Sequence, residues 1–135
     1  MRTVSAAQRE RFLRRLTEIA EGTAGAMGCR AVVRELPGTP MLENDDRIAD
    51  ICRSSAGGLL GKEKVLELPA ETISEDFAYF SQLIPCCYMG LGSAEEGKAY
   101  EPLHSSRFFP GDTVLPIGAA VLAQSVFGVA RALAE

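Results

Sequence analysis

The sequence predicts an α/β protein in which helices pack on a layered sheet. Its 135 residues, 47% of them hydrophobic, are enough to fill one core without disulfide or metal staples. Apolar residues at helical spacing alternate with short β-rich runs, in the order helix, strand, helix, strand, helix, strand, long loop, helix. An alternation of this kind is typical of helices layered against a sheet.

The first helix is predicted from its start signal and its period. Ser5 and Gln8 have the spacing of a capping box, and apolar residues then recur every three or four positions as far as Gly28. The next run, CRAVVREL (29–36), has the β-branched content and alternation of a strand, and LPGTP then turns the chain away.

A second helix is predicted to begin at Asn44. This residue stands where an N-cap belongs, and Asp45 and Asp46 follow in the first turn, where carboxylates favour the positive end of the helix dipole. Glycines at 57, 58 and 61 are expected to end this helix. The short run KVLEL (64–68) then predicts a second strand.

The second half of the chain repeats the alternation. Ser74 predicts the cap of a helix that Pro85 stops, and CCYMGLG (86–92) is apolar on both faces, as a central strand would be. An irregular segment over 93–110 predicts a long loop, and long loops in compact domains are often functional. The apolar stretch 112–135 predicts a buried amphipathic helix rather than a membrane span, since it contains Pro, Gln, Ser and Arg.

Charge and cysteine usage narrow the functional class. The chain has 14 basic and 18 acidic residues, a net charge of −4, and no basic cluster interleaved with aromatic residues, so nucleic-acid binding is not supported. Four cysteines show no CxxC spacing, and the first residues lack the apolar core of a signal peptide. These features indicate a reduced, cytoplasmic setting and no membrane partner.

His104, in EPLHSSRF (101–108), is the only histidine and the main candidate for chemistry. It could be a metal ligand, a base for a nearby serine or a cysteine, or a partly buried structural ring. A second candidate is ISEDFAYF (73–80), where Ser74, Glu75 and Asp76 could either cap a helix or face a ligand. The residue pattern by itself leaves these alternatives open.

Taken together, SEDFAYFSQLIPCCYMGLGS (74–93) and LHSSRFFPGDTVLPIGAAVLA (103–123) resemble the C-terminal part of the metal-dependent N-acyl-amino-acid amidohydrolases. These are zinc peptidase relatives that include hippurate hydrolase, the auxin-conjugate hydrolases and thermostable carboxypeptidases. The resemblance extends over essentially the whole chain. It implies that residues 1–36 are a remnant of the lid, or dimerisation, domain and that 37–135 are the C-terminal half of the catalytic domain.

The resemblance also implies site residues and cofactors. His104 corresponds to a ligand of a two-metal site that holds divalent Zn, Mn, Co or Ni, while Ser74, Glu75 and Asp76 would lie near the substrate pocket. No residue is assigned a catalytic step. The implied substrates are N-acyl amino acids or small peptides, whose amide bond is cleaved by a metal-activated water. Two departures stand out: Ser74 replaces the usual glycine, and Ser106 replaces the usual proline of LHxP.

The resemblance places the family's other metal ligands and its glutamate base in an N-terminal half that these 135 residues do not contain. The isolated chain is therefore expected to be inactive. An alternative is a non-catalytic module that binds a separate N-terminal half, or forms a homo-oligomer through exposed apolar surface. A third possibility is a small independent enzyme in which His104 serves a serine or a cysteine.

Overall fold

The computed structural model describes residues 3–94, 97 and 101–134. Its helices are α1 (Ala6–Ala26), α2 (Asp46–Leu60), α3 (Ala78–Ser81) and α4 (Val114–Ala134), with a 3₁₀ turn at Lys62–Lys64. The chain divides into two compact units. The first unit is Met1–Glu43 with Leu68–Ile84, and the second unit is Asn44–Glu67 with Pro85–Glu135.

Helix α1 of the first unit confirms the predicted helix and its start. Ser5 is the N-cap, with its side chain accepting a hydrogen bond from the Gln8 backbone N–H at 3.5 Å. The helix ends one residue before Met27, and Gly28 then adopts a φ of +67°, which a glycine takes without steric cost. The apolar residues of α1 do not form part of a buried core, because no residue of this helix is buried.

Polar contacts join the other segments of the first unit. Arg9 on α1 forms an ion pair with Glu35 at 2.8 Å. The Tyr79 hydroxyl donates to the Gly38 carbonyl at 3.2 Å, and the Gln82 amide donates to the Met41 carbonyl at 3.1 Å. These contacts attach the short helix α3 to the extended segment over 38–41.

In the second unit, α2 begins one residue later than predicted. Asp45, not Asn44, is the N-cap, and its carboxylate accepts from the Ile48 N–H at 3.0 Å. Asn44 instead bonds the backbone of Tyr88 twice, accepting from its N–H at 2.8 Å and donating to its carbonyl at 3.0 Å. The Asp45 N–H also donates to the Cys86 carbonyl at 2.9 Å. Together, these three hydrogen bonds attach residues 86–88 to the start of α2.

Helices α2 and α4 pack against each other and form the core of the second unit. Its buried residues include Cys52 and Ala56 on α2 and Val121 and Ser125 on α4. Arg47, near the start of α2, donates to the Ala132 carbonyl near the end of α4 at 2.7 Å. The two helices are therefore antiparallel, and the guanidinium lies at the negative end of the α4 dipole.

The three predicted strands are not paired. Segments 29–36 and 86–92 have no regular secondary structure, and the Lys62–Lys64 turn occupies the first residue of 64–68, so the described part of the chain contains no β-ladder. A strand requires a neighbouring backbone to receive its hydrogen bonds, whereas Tyr88 is bonded by a side chain. The layered sheet thus stays a prediction.

Two predicted helices need correction. The helix expected to start at Ser74 is the single turn Ala78–Ser81, because the Ser74 hydroxyl lies 3.1 Å from the Thr39 hydroxyl and caps no helix. Helix α4 occupies nearly the predicted span, and it is long and apolar enough to cross a membrane by length and composition. Only its face towards α2 is buried; Leu122 on another face is 62% exposed.

Candidate functional site

His104 lies at a strained position in an exposed turn. The Ser105 N–H donates to the Pro102 carbonyl at 3.1 Å, which closes a four-residue turn with His104 as its third residue. Its φ of +69° is the only positive value recorded for a described residue other than glycine. A side chain in this region costs roughly 1–2 kcal/mol. Residues held in such conformations cluster at functional sites.

Three residues around His104 form a polar network. The Glu101 carboxylate pairs with the Arg107 guanidinium at 3.2 Å through one oxygen and accepts from the Ser105 hydroxyl at 3.4 Å through the other. The Ser105 oxygen in turn accepts from the Arg107 N–H at 3.1 Å. Glu101 and Arg107 were not singled out in the sequence, because nothing in their spacing distinguishes them from surface charges.

This network bears on the alternative in which His104 acts as a base for a nearby serine. Since the Ser105 hydroxyl donates to Glu101, its proton is directed away from the imidazole of His104. A nucleophilic serine needs its hydroxyl within hydrogen-bond reach of the base. Ser105 therefore stabilises the loop in this structure.

His104 is not joined by other ligands in the described part of the chain. Among those residues, no group of three or more His, Cys, Asp or Glu side chains could hold a metal ion. Both oxygens of the neighbouring Glu101 are engaged by Ser105 and Arg107. Since metal sites in enzymes draw three or four ligands from the protein, the described residues do not by themselves fit the implied two-metal site.

The other predicted site residues, Ser74, Glu75 and Asp76, belong to the first unit. The Glu75 carboxylate accepts from the Phe77 N–H at 3.3 Å, and the Asp76 carbonyl accepts from the Tyr79 N–H at 3.1 Å. The Ser74 hydroxyl contacts Thr39. These bonds favour local backbone capping for Glu75. A substrate role for the segment stays a prediction.

A groove of about 510 Å³ opens between α2 and α4 and contains none of the predicted site residues. Its lining is part polar and part apolar, and includes Ser54, Ser55, Gln124, Arg131 and Leu59. The sequence held no signal for it, because the groove depends on how the two helices pack.

The cysteines are free thiols, with Cys52 and Cys86 buried. Burial, together with charge repulsion and hydrogen bonding from the nearby Cys52 thiol, raises the pKa of Cys87 to about 11. A thiol protonated at neutral pH is a poor nucleophile. The chemistry of Cys87 is therefore that of a core thiol.

Comparison with known proteins places this chain in a family. The family model for peptidase family M20/M25/M40 matches residues 15–127. An uncharacterized hydrolase, y4tI, of Sinorhizobium fredii (strain NBRC 101917 / NGR234) is 31% identical over 85% of this chain and 28% of its own length. The IAA-amino acid hydrolase ILR1-like 2 of Arabidopsis thaliana is 31% identical over 79% of this chain and 25% of its own length. The chain thus spans about a quarter of these relatives, and it belongs to peptidase family M20/M25/M40.

Proposed function

We propose that the chain contributes to a metal-dependent amidohydrolase that cleaves the amide bond of N-acyl amino acids or small peptides. The family match over residues 15–127 supports hydrolysis as the reaction class. Relatives named as IAA-amino acid hydrolases support an amino acid conjugate as the substrate class. Because the chain spans about a quarter of these relatives, the proposal concerns the activity of a larger catalytic unit.

The observation that carries the proposal is His104 in its strained, exposed turn. Both the LHSSRF motif and the left-handed backbone at this residue favour a functional role for the imidazole. We assign it as one metal ligand of the family's site, in which divalent ions activate water when they are bound. The described residues offer this imidazole without a surrounding ligand cluster, so hydrolysis by the chain alone is not expected.

The same proposal accounts for the unpaired extended segments. Residues 64–68 and 86–92 have strand-like sequences, and their backbone groups would be satisfied by pairing in the layered sheet of a complete catalytic domain, whereas 29–36 would pair as a strand of the lid domain. Under the proposed division, residues 1–36 belong to the lid domain and 37–135 to the catalytic domain. Such an enzyme fits a cytoplasmic setting with reduced cysteines.

Calorimetry and complementation test the metal assignment. The chain alone should show neither tight stoichiometric binding of Zn²⁺, Mn²⁺ or Co²⁺ nor hydrolysis of N-acyl amino acids. Combined with the part of the Sinorhizobium relative that it does not match, it should support hydrolysis. His104→Ala should lower that activity more than about a hundredfold, because loss of a ligand costs at least as much as loss of its supporting partners.

The matched control is Lys62→Ala, which removes an exposed charge from the 3₁₀ turn and should leave the activity unchanged. Tight metal binding by the isolated chain that disappears in His104→Ala would show that the site is complete without further residues. Equal activity of His104→Ala and the unsubstituted chain in the complemented enzyme would refute the ligand assignment.

A second candidate function is a non-catalytic module that associates through α4. The observation that favours it is the exposed apolar surface of this helix, where Leu115, Leu122 and Leu133 are 65%, 62% and 72% exposed. Large exposed apolar patches on soluble proteins mark interaction surfaces. Self-association would bury these side chains without any ligand.

Light scattering and dye binding test this second candidate. The unsubstituted chain should form dimers or larger species, and Leu122→Glu should shift them towards monomers because a carboxylate would be buried in the interface. Gln124→Glu adds the same charge to the same helix, beside the groove, and should leave association unchanged. A monodisperse monomer that binds no dye for exposed apolar surface would exclude the module.

A further inference from the structure

We infer that Glu101 is a positioning residue that holds His104 in its left-handed turn. Its relevance to catalysis rests on the proposed function of His104, but the conformational effect can be tested by itself. Glu101 precedes the turn, and its carboxylate bonds Ser105, the last residue of the turn, and Arg107, which follows the turn. One side chain therefore ties together the two ends of the segment that carries the imidazole.

Among the described residues, the backbone of this segment has few hydrogen bonds of its own. The one from the Ser105 N–H to the Pro102 carbonyl closes the turn around His104. The next bond, from the Phe108 N–H to the Ser105 carbonyl at 3.0 Å, closes a second turn after it. A left-handed residue persists only when its surroundings outweigh the local cost. The contacts of Glu101 supply that additional constraint.

The hydrogen-bond pattern distinguishes positioning from ligand binding. One oxygen of Glu101 faces the Arg107 guanidinium and the other accepts from Ser105, so both are committed to the loop. Ser105 also accepts from the Arg107 N–H, which links the partners of Glu101 to each other. The Glu101 side chain is 25% exposed, whereas that of Arg107 is 79% exposed. The carboxylate of Glu101 is thus more buried than the guanidinium with which it pairs.

Loss of the carboxylate would free the turn. His104 would then relax towards negative φ, since the left-handed conformation is disfavoured by roughly 1–2 kcal/mol for a residue with a Cβ. At that cost, about a tenth of the molecules would keep the left-handed backbone. The direction of the imidazole would change with φ, because the Cα–Cβ bond rotates with the backbone.

NMR spectroscopy of the full 135-residue chain tests the inference, and the single histidine makes the signals unambiguous. A positive φ brings the amide and α protons of one residue close together, so His104 should give a strong intraresidue amide–α nuclear Overhauser effect. In Glu101→Ala this signal should fall severalfold, towards the weaker effect that the longer amide–α separation at negative φ gives. The control is Glu71→Ala, which removes an exposed carboxylate from the first unit and should leave the signal unchanged.

Amide spectra of α2 and α4 verify that each variant remains folded. An unchanged signal from His104 in a folded Glu101→Ala chain would overturn the inference. In the complemented enzyme, the same variant should lower kcat about tenfold with little change in KM, as expected for a residue that supports a ligand. If the complemented enzyme is inactive in all forms, the proposed function fails, whereas the resonance of His104 still decides the role of Glu101.

Discussion

At pH 8, Cys87 should be alkylated about ten- to a hundredfold more slowly in the folded chain than in the urea-unfolded chain. The reason is that its pKa is raised from 9.0 to about 11, first by burial and then by the neighbouring Cys52 thiol. Two pKa units lower the thiolate fraction about a hundredfold, and the greater nucleophilicity of a more basic thiolate offsets part of that loss. Reaction with iodoacetamide, resolved by peptide fragmentation in a mass spectrometer, measures the rate at each cysteine.

The pH dependence has a definite sign. Because the folded state keeps the proton, the rate at Cys87 should rise with pH until the pH approaches 11. Cys52→Ala removes a hydrogen bond and a like charge that both raise the pKa, so it should accelerate alkylation of Cys87. The exposed Cys29 is the internal reference and should react at similar rates in both states. Equal rates for Cys87 in the folded and unfolded chain would contradict the prediction.

Gly128→Ala should lower the free energy of unfolding of the second unit by about 0.5–2 kcal/mol, because the usual cost of overpacking a tight core is partly offset by the conformational entropy that alanine saves over glycine. A Cβ at this position would lie 2.7 Å from the Ser55 hydroxyl oxygen and 3.0 Å from the Ile51 Cγ2. The hydroxyl can rotate away, but the β-branched Ile51 has one strongly preferred rotamer in a helix. Helices α2 and α4 would therefore have to separate.

Gly58→Ala is the matched control for this substitution. It also lies inside a helix, but apart from its chain neighbours and the backbone of α2 no atom lies within 4 Å of the added Cβ. It should raise the free energy of unfolding by about 0.5–1 kcal/mol, because alanine loses less conformational entropy on folding than glycine. Urea titration followed by amide exchange in α2 and α4 measures both variants. A Gly128→Ala chain as stable as Gly58→Ala would show that the helices are not closely packed at this point.

A second substitution identifies the cause of the destabilisation. If contact with Ser55 contributes, Ser55→Ala should be less harmful in the Gly128→Ala background than in the unsubstituted chain. Residues in contact show non-additive effects of this kind, whereas distant residues do not. If the effects of the two substitutions on the free energy of unfolding are strictly additive, the destabilisation by Gly128→Ala comes from the contact with Ile51 alone.

The parts of the fold that sequence predicted well are those governed by local interactions. The Ser5 cap and the helix that follows it were both readable, because capping and helical period involve residues three or four apart. The cap of α2 was displaced by one residue, since Asn44 and Asp45 are both good caps and a distant partner, Tyr88, occupies Asn44. Because the N-cap preferences of Asn44 and Asp45 are similar, the local sequence could not decide between them.

The candidate site was only partly predictable. His104 was identified as the residue of interest from its uniqueness and its family motif, and the structure adds its positive φ. Its supporting network was missed because Glu101, Ser105 and Arg107 meet only after the chain has turned. Sequence spacing cannot show that a carboxylate reaches across a turn, since the reach depends on backbone angles on both sides.

By itself, the sequence determined the family and the principal helices, and it predicted His104 as the residue most suited to ligand chemistry. Only the tertiary structure decided which apolar faces are buried, that 29–36 and 86–92 have no strand partners among the described residues, and that Cys87 is a weakly acidic thiol. The physical reason is the range of the interactions. Helical period and capping act over one turn, whereas burial, pairing and desolvation depend on segments distant in sequence.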